Sequence, residues 1–221
     1  MSENIKQKIR EAGGTFLAND NIADYLTSAD INNIHANVYS AMVNLLDALV
    51  IDTENDHNTI ETAKRVTKMY IQEVFKGRYE KAPKITDFPN AKNLDQIYTI
   101  GPITIRSACS HHLVPILGQA WIGVIPGERV IGISKFNRLT EWIMARPQIQ
   151  EESTIQLADE IEKRINPKAL AVVVKAQHMC MSWRGVKDTG SSMTTSVMRG
   201  LFRNDIPARE EFLSIIKGQG F

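Results

Sequence analysis

The chain changes its hydrophobic periodicity about a third of the way along, and this change limits the folds open to it. Residues 30–49 place apolar side chains at helical spacing, and a second helical pattern covers about residues 59–75. In IYTIGPITIRSA (97–108), apolar and polar residues alternate instead, which is typical of a half-buried strand. No regular alternation of strands and helices follows. The pattern therefore predicts an α+β fold with a mainly antiparallel sheet and packed helices.

The same change divides the chain into two regions. Residues 1–78 form an N-terminal helical region, and residues 79–221 carry the predicted sheet. ALAVVVKAQHMCMSW (169–183) predicts one long strand, on which His178 and Cys180 would share a face because side chains alternate along a strand. The other predicted elements are strands at 113–126, 129–134 and 193–199 and helices at 137–145, 151–165 and from about 207.

Charge and hydropathy exclude some classes of function. Lysines and arginines number 26 and aspartates and glutamates 25, so the net charge of +1 indicates no surface for nucleic acid. The longest apolar run, residues 169–174, is far shorter than the roughly 20 residues of a membrane helix. The N-terminal residues lack the apolar core of a signal peptide. We therefore expect a cytoplasmic protein with no membrane partner.

The two cysteines each have histidine neighbours. His111 and His112 follow Cys109, and His178 precedes Cys180. A cytosolic location argues against a disulfide, whereas thiolate and imidazole are ligands that Zn²⁺ prefers. A Cys-x-x-His turn can present two ligands, and the second cysteine can supply a third. Such a site would leave two histidines beside the metal as proton carriers for a hydrolytic reaction.

Other interpretations of these residues stay open. A closed structural zinc site would use His111 or His178 as a fourth ligand. A histidine could instead activate a nucleophilic thiol, or the two cysteines could be unrelated buried residues.

Cationic residues follow each of the two cysteine segments along the chain. Ser134, Lys135 and Arg138 lie at a predicted strand-to-helix junction, and Arg184 follows Cys180 closely. Cations and backbone N–H groups at the start of a helix can bind phosphate. A solvated surface is the alternative for each of these residues.

Two other pairs of residues are candidates for ligand contacts. Arg65 and Lys68 form a basic face on a predicted helix of the first region. Gln150 and Glu151 begin another helix, where a carboxylate ordinarily interacts with the free N–H groups of the first turn. A carboxylate there would also match the adjacent N–H and NH₂ donors of a guanine edge.

Five segments of the chain together resemble the GTP cyclohydrolase I family, the zinc enzymes of the tunnelling fold. The resemblance covers about residues 30–216 and implies opening of the GTP imidazole ring at C8 with release of formate. Rearrangement of the ribose then gives 7,8-dihydroneopterin triphosphate, a step of pterin and tetrahydrofolate biosynthesis. The segments are ETAKRVTKMYIQEVFKG, SACSHHLVPILG, VIGISKFNRLTEWIMARPQIQEE, HMCMSWRGV and GSSMTTSVMRGLF.

The resemblance also implies a role for each candidate residue and a toroidal homo-decamer of two pentamers with sites between subunits. The implied zinc ligands are Cys109, His112 and Cys180, and the implied catalytic residues are His111 and His178. The implied GTP contacts are Gln150 and Glu151 to guanine, Ser134 near the ribose, Lys135, Arg138 and Arg184 to the triphosphate, and Arg65 and Lys68 from a neighbouring subunit.

One residue departs from the family pattern. Ser110 stands where the family usually has a glutamate, and a hydroxyl can neither supply that charge nor accept protons at neutral pH. We expect GTP turnover, because the implied metal, guanine and phosphate positions are all present. The alternatives are a diverged tunnelling-fold paralogue that acts on or only binds another guanine nucleotide, and an enzyme of related purine chemistry in the same fold, such as a 7-deazaguanine reductase. A reductase would need a free cysteine and a nicotinamide site, and no GxGxxG motif occurs.

Overall fold

The structure is a computed structural model that describes residues 2–221, except for the side chain of Ser2. The chain divides into two units. The first unit ends at Lys81 and the second spans Ala82–Phe221, whereas the sequence-based division set the boundary after residue 78. The first unit is helical, as predicted. Its helices are α1 (Ser2–Glu11), α2 (Ser28–Ala48), α3 (Thr62–Lys68) and α4 (Lys76–Tyr79), with a π-helical segment at Met69–Val74.

Helix α2 begins earlier than its apolar pattern indicates. Thr27 is the N-cap residue, and its side chain accepts a hydrogen bond from the backbone N–H of Asp30 at 3.2 Å. The Asp30 carboxylate accepts in return from the backbone N–H of Thr27 at 2.9 Å. This reciprocal capping box satisfies two N–H groups that the helix itself cannot pair, so the helix starts at Ser28.

The second unit is built on a five-stranded sheet. Four of its strands pair antiparallel, and the short β5 pairs parallel to β2, so the predicted mainly antiparallel sheet is confirmed. The strands in spatial order are β5 (Pro147–Gln148), β2 (Tyr98–Cys109), β3 (Pro115–Ile125), β6 (Ala169–His178) and β7 (Met193–Gly200). Two further strands, β1 (Asp87–Pro89) and β4 (Arg129–Ile131), pair with each other.

Apolar clusters cover both faces of this sheet. Neighbouring residues of a strand point to opposite sides, so each central strand contributes side chains to both clusters. On β3, Ile122 packs in one apolar cluster and Trp121 in another. The first cluster includes Leu139 and Leu157, and the second includes Phe212. The helices of this unit are α5 (Ile133–Met144), α6 (Gln150–Ile165), α7 (Met179–Ser182), α8 (Leu201–Asn204) and α9 (Ile206–Lys217).

Two predicted boundaries in this unit are wrong. Strand β6 ends at His178, and Cys180 lies in the helical turn α7, so these two residues do not share a strand face. The pairing of β6 with β3 reaches its last partners at His178 and Ile116, beyond which the backbone N–H of Trp183 bonds to the carbonyl of Met179 at 3.0 Å. Helix α5 begins at Ile133, earlier than the predicted residue 137.

None of the helices of residues 2–221 combines the length and the hydropathy that crossing a membrane requires.

Candidate active site

The sheet topology brings the two cysteine segments together. Strand β3 lies between β2 and β6, with Ala108 opposite Pro115 on one side and Ile116 opposite His178 on the other. The end of β2, the start of β3 and the end of β6 therefore meet at one end of the sheet. Cys109 is the last residue of β2, and Cys180 follows the end of β6 by two residues. Long-range strand pairing thus joins segments that are distant in sequence.

The turn after β2 is held at several points. The backbone N–H of Cys109 bonds to the carbonyl of Val114 at 2.9 Å, and that of Leu113 bonds to the carbonyl of Cys109 at 2.8 Å. Leu113 has a φ of 55°, which is uncommon for a residue with a side chain. The backbone N–H of Ser110 bonds to the carbonyl of Gln148 on β5 at 3.0 Å. These bonds fix the turn that carries both histidines.

Cys109, His112 and Cys180 form a group that could hold a metal ion. One potential ligand atom from each lies within 4.8 Å of the other two. Tetrahedral zinc with thiolate and imidazole ligands would separate those atoms by about 3.3–3.8 Å, so a contraction of about 1 Å would suffice. Burial and the nearby Cys109 raise the pKa of the Cys180 thiol, and a bound cation would reverse this effect. The donor set therefore fits a metal that prefers sulfur and nitrogen ligands.

The two histidines of the turn have different neighbours. Nδ1 of His111 lies 3.8 Å from Sγ of Cys109, while Nη1 of Arg184 donates a hydrogen bond to Nε2 of His112 at 3.1 Å. Their ring centroids are 6.3 Å apart, with the rings edge to face. His111 therefore lies beside a candidate ligand, and His112 connects the cluster to a cation.

His178 is held by the side chain of Gln150. Nε2 of His178 lies 2.8 Å from Oε1 of Gln150. The amide nitrogen of Gln150 donates to the carbonyls of Val174 and Met193 and to Oγ1 of Thr195, each at 3.1 Å. Gln150 is 2% exposed, so these bonds form away from bulk water. The polar atoms of the Gln150 side chain are thus engaged within the chain.

The start of α6 places a carboxylate near this histidine. Burial lowers the pKa of His178, and the negative charge of Glu151 acts in the opposite direction. Glu151 is exposed in the first turn of α6, where the helix dipole favours a negative charge. The carboxylate is therefore accessible to a ligand.

The remaining candidate residues lie on other elements. Ser134, Lys135 and Arg138 lie in the first turns of α5, with Ser134 and Arg138 exposed and Lys135 half-buried. Arg65 and Lys68 belong to α3 of the first unit and are exposed. The structure thus gathers Cys109, His111, His112, Gln150, His178, Cys180 and Arg184, and it places the cationic residues of α3 and α5 on separate elements.

Sequence reasoning missed two threonines that support Gln150. Oγ1 of Thr154 lies 2.8 Å from Oγ1 of Thr195 and donates to the backbone carbonyl of Gln150 at 2.7 Å. Thr154 lies on α6, and Thr195 lies on β7. Thr195 lies within the segment GSSMTTSVMRGLF and Thr154 follows the segment that ends at Glu152, but neither position indicates their contact, which depends on how α6 packs on the sheet.

The fold and the site define an α+β protein with a candidate metal centre at one end of its sheet. The chain matches the model of a protein family described as GTP cyclohydrolase I over residues 38–217, and it belongs to that family.

Curated relatives agree with this assignment. The chain is 38% identical over 183 residues to GTP cyclohydrolase 1 of Edwardsiella ictaluri (strain 93-146), which covers 82% of this chain and 83% of the relative. It is 39% identical over 177 residues to GTP cyclohydrolase 1 of Aliivibrio salmonicida (strain LFI1238), covering 80% and 81%. Among solved structures, the apo form of the archaeosine synthase QueF-Like is similar at a TM-score of 0.37 and 17% identity, covering 54% of this chain and 97% of that one.

Proposed function

We propose that this protein is a zinc-dependent GTP cyclohydrolase I of the cytoplasm. It hydrolyses the two bonds that hold C8 in the guanine imidazole ring, releases C8 as formate and gives 7,8-dihydroneopterin triphosphate. The observation that carries this proposal is the cluster of Cys109, His112 and Cys180, with ligand atoms within 4.8 Å, in a chain of this family.

Zinc is the proposed metal, since two thiols and an imidazole are ligands that it prefers. Cys109, His112 and Cys180 would hold it and leave a fourth position open. When bound, zinc acts as a Lewis acid and lowers the pKa of a water molecule to about 7.

The histidines that are not ligands transfer protons. His178 donates a proton to N7 of the guanine, so that the nitrogen leaves as a neutral group when its bond to C8 breaks. His111 exchanges a proton beside Cys109, from which its Nδ1 is 3.8 Å distant. Both roles suit an imidazole, because one ring nitrogen can give a proton and take it back.

Charged residues bind the two ends of GTP. The Glu151 carboxylate accepts hydrogen bonds from the N–H and NH₂ groups of the guanine edge, with Gln150 beside it. Lys135, Arg138 and Arg184 bind the triphosphate, and Ser134 contacts the ribose. Support comes from the start of α5, where these cations lie close to the first backbone N–H groups of a helix whose N-cap residue, Gly132, makes no side-chain capping bond.

Assembly completes the site in this proposal. Arg65 and Lys68 bind GTP held mainly by a neighbouring subunit of a homo-decamer built from two pentamers. Both side chains are exposed on α3 and therefore accessible to such a ligand.

A second candidate follows from Ser110. A hydroxyl stands where this family usually has a carboxylate, so the chain is alternatively a paralogue that acts on, or only binds, another guanine nucleotide. This serine contributes its backbone N–H to the bond with Gln148 and is not part of the candidate ligand group.

Turnover of GTP by the purified protein distinguishes these candidates. The protein with zinc is incubated with GTP, and the products are oxidised and separated by chromatography. Cyclohydrolase activity gives a fluorescent pterin together with an equal amount of formate. Binding of GTP without either product would support the paralogue and contradict the main proposal.

A further inference from the structure

We infer that Gln150 is a positioning residue that keeps a hydrogen on Nε2 of His178 and so makes Nδ1 the nitrogen that exchanges protons with the substrate. This inference rests on the proposed function, in which His178 transfers a proton. It also gives the Gln150 side chain a role other than contact with guanine.

The orientation of the Gln150 amide follows from its backbone partners. A carboxamide has one oxygen that only accepts and one nitrogen that only donates. The carbonyls of Val174 and Met193, which only accept, both lie 3.1 Å from the Gln150 nitrogen. Exchange of the amide oxygen and nitrogen would place an oxygen against two carbonyl oxygens. The nitrogen must therefore face β6 and β7, and Oε1 must face His178.

This orientation determines which nitrogen of His178 carries a hydrogen. Oε1 of Gln150 can only accept, and it lies 2.8 Å from Nε2 of His178. Nε2 must therefore donate. A neutral imidazole has one N–H group, so Nδ1 then holds the lone pair. A proton that His178 gives to the substrate consequently leaves from Nδ1, and the neutral Nε2–H tautomer remains.

The surroundings of Gln150 hold this arrangement in place. The residue begins α6, contacts β6 and β7 and is 2% exposed. Thr195 accepts from its amide nitrogen, and Thr154 bonds both to Thr195 and to the Gln150 carbonyl. A buried hydrogen-bond network with its members paired resists rearrangement. Both amide hydrogens are committed, so the side chain has no donor left for a nucleotide.

Nitrogen NMR of the histidine ring tests the inference directly. Protein labelled with ¹⁵N-histidine and loaded with zinc is recorded without nucleotide at one fixed pH, and His178→Ala identifies the signals of residue 178. We expect a hydrogen on Nε2 and a lone-pair shift at Nδ1. A neutral ring with its hydrogen on Nδ1 would overturn the inference. This measurement needs no activity, so it stays informative if GTP proves not to be the substrate.

A matched set of variants tests the source of the effect. Gln150→Met keeps the side-chain volume but removes the acceptor, so the Nε2–H resonance should move and exchange faster with solvent. Gln177→Met makes the same change at an exposed residue next to His178 and leaves the Gln150 acceptor in place, so it should keep the wild-type resonance. An unchanged Nε2–H resonance in Gln150→Met would contradict the positioning role. If that variant does not fold, the wild-type spectrum still decides the inference.

Kinetics separate positioning from substrate contact. Gln150→Met should lower kcat by about 10- to 100-fold, a part of the roughly 100- to 10,000-fold that a general acid contributes, with KM nearly unchanged. Gln177→Met should retain most of kcat. A large rise in KM with kcat preserved would show instead that the Gln150 side chain binds guanine, and it would overturn the inference.

Discussion

Arg184 donates a hydrogen bond to Nε2 of His112 over 3.1 Å, and this bond excludes metal binding by the same imidazole. A guanidinium can only donate, so Nε2 must offer the single lone pair of the neutral ring. A metal bound at Nε2 would use this lone pair itself. A metal bound at Nδ1 would leave the ring hydrogen on Nε2, which could then no longer accept from Arg184. A metal bound by His112 would therefore displace Arg184 from this hydrogen bond and leave its guanidinium for an anion.

Replacement of Arg184 should consequently tighten metal binding. A hydrogen bond from a charged donor contributes about 1.5–3 kcal/mol, and this one is exposed, so the Kd for zinc should fall by about 10-fold in Arg184→Ala, as the lower end of that range implies. Competition with a chromophoric chelator measures this Kd. Arg184→Lys separates the loss of the guanidinium from the loss of charge, and Lys187→Ala is the control for a nearby exposed cation. An unchanged or weaker affinity in Arg184→Ala would show that the two interactions do not compete.

The candidate ligand set predicts which substitutions remove the metal. Cys109→Ser, His112→Ala and Cys180→Ser should each lose most of the bound zinc, since their ligand atoms form the cluster. His178→Ala should keep about one zinc per chain, because its Nε2 is engaged by Gln150 and it is not a member of that cluster. Elemental analysis of the purified variants measures the zinc content. Zinc loss in His178→Ala equal to that in Cys180→Ser would indicate a closed four-ligand site.

Local sequence patterns were sufficient for the fold class but not for every part of the site. Alternation along residues 97–108 and the apolar run after Lys168 predicted β2 and most of β6, because burial on a sheet face determines these patterns. The sequence did not reveal that β6 ends before Cys180, since its apolar pattern continues through Met181 while the pairing with β3 stops at His178.

The partners of Gln150 are a second feature of the site that local sequence patterns do not predict. Its contacts with Val174, Met193 and Thr195 join residues distant in sequence, and two of them involve backbone carbonyls that any residue type would supply. No spacing rule predicts such contacts. A resemblance to relatives can imply that a residue matters, but the hydrogen-bonding geometry is needed to say what its side chain does.

Tyr98 offers a test of the core that is independent of the site. Its hydroxyl is buried and has no hydrogen-bond partner among residues 2–221, and burial raises the pKa of Tyr98 to about 12. An unpaired buried hydroxyl costs about 1–3 kcal/mol, so Tyr98→Phe should leave the free energy of unfolding unchanged or raise it by about 1 kcal/mol at pH 7.

The pH dependence of this substitution has a defined sign. A raised pKa means that the folded state favours the neutral phenol. The resulting contribution of Tyr98 to the free energy of unfolding is complete below about pH 10 and is lost as the pH rises toward 12. The stability advantage of Tyr98→Phe should therefore grow above pH 10, as measured by urea unfolding. Tyr39→Phe, at a tyrosine that is 44% exposed, is the control. A clear loss of stability in Tyr98→Phe at pH 7 would mean that the hydroxyl is paired.

Sites shared between subunits should be restored by mixing inactive chains. In the proposed assembly, each site takes His178 from one subunit and Lys68 from its neighbour. Lys68→Ala and His178→Ala therefore damage the contributions of different subunits. Random co-assembly would leave about a quarter of the sites with both groups intact, and GTP turnover should recover in proportion. His178→Ala mixed with Cys180→Ser is the control, since these residues are neighbours in one chain and no site would be complete. Absence of recovery in confirmed mixed assemblies would place Lys68 in the same subunit's site as His178.

The fate of C8 of GTP tests the central claim most directly. GTP labelled with ¹³C at C8 is incubated with the zinc-loaded protein and followed by ¹³C NMR, with His178→Ala that retains its zinc as the control. The proposed function predicts that all of the lost label appears as formate, one molecule for each GTP consumed, and that the control releases far less. Retention of the label in the purine ring by the wild-type protein, with GTP bound and zinc present, would contradict it.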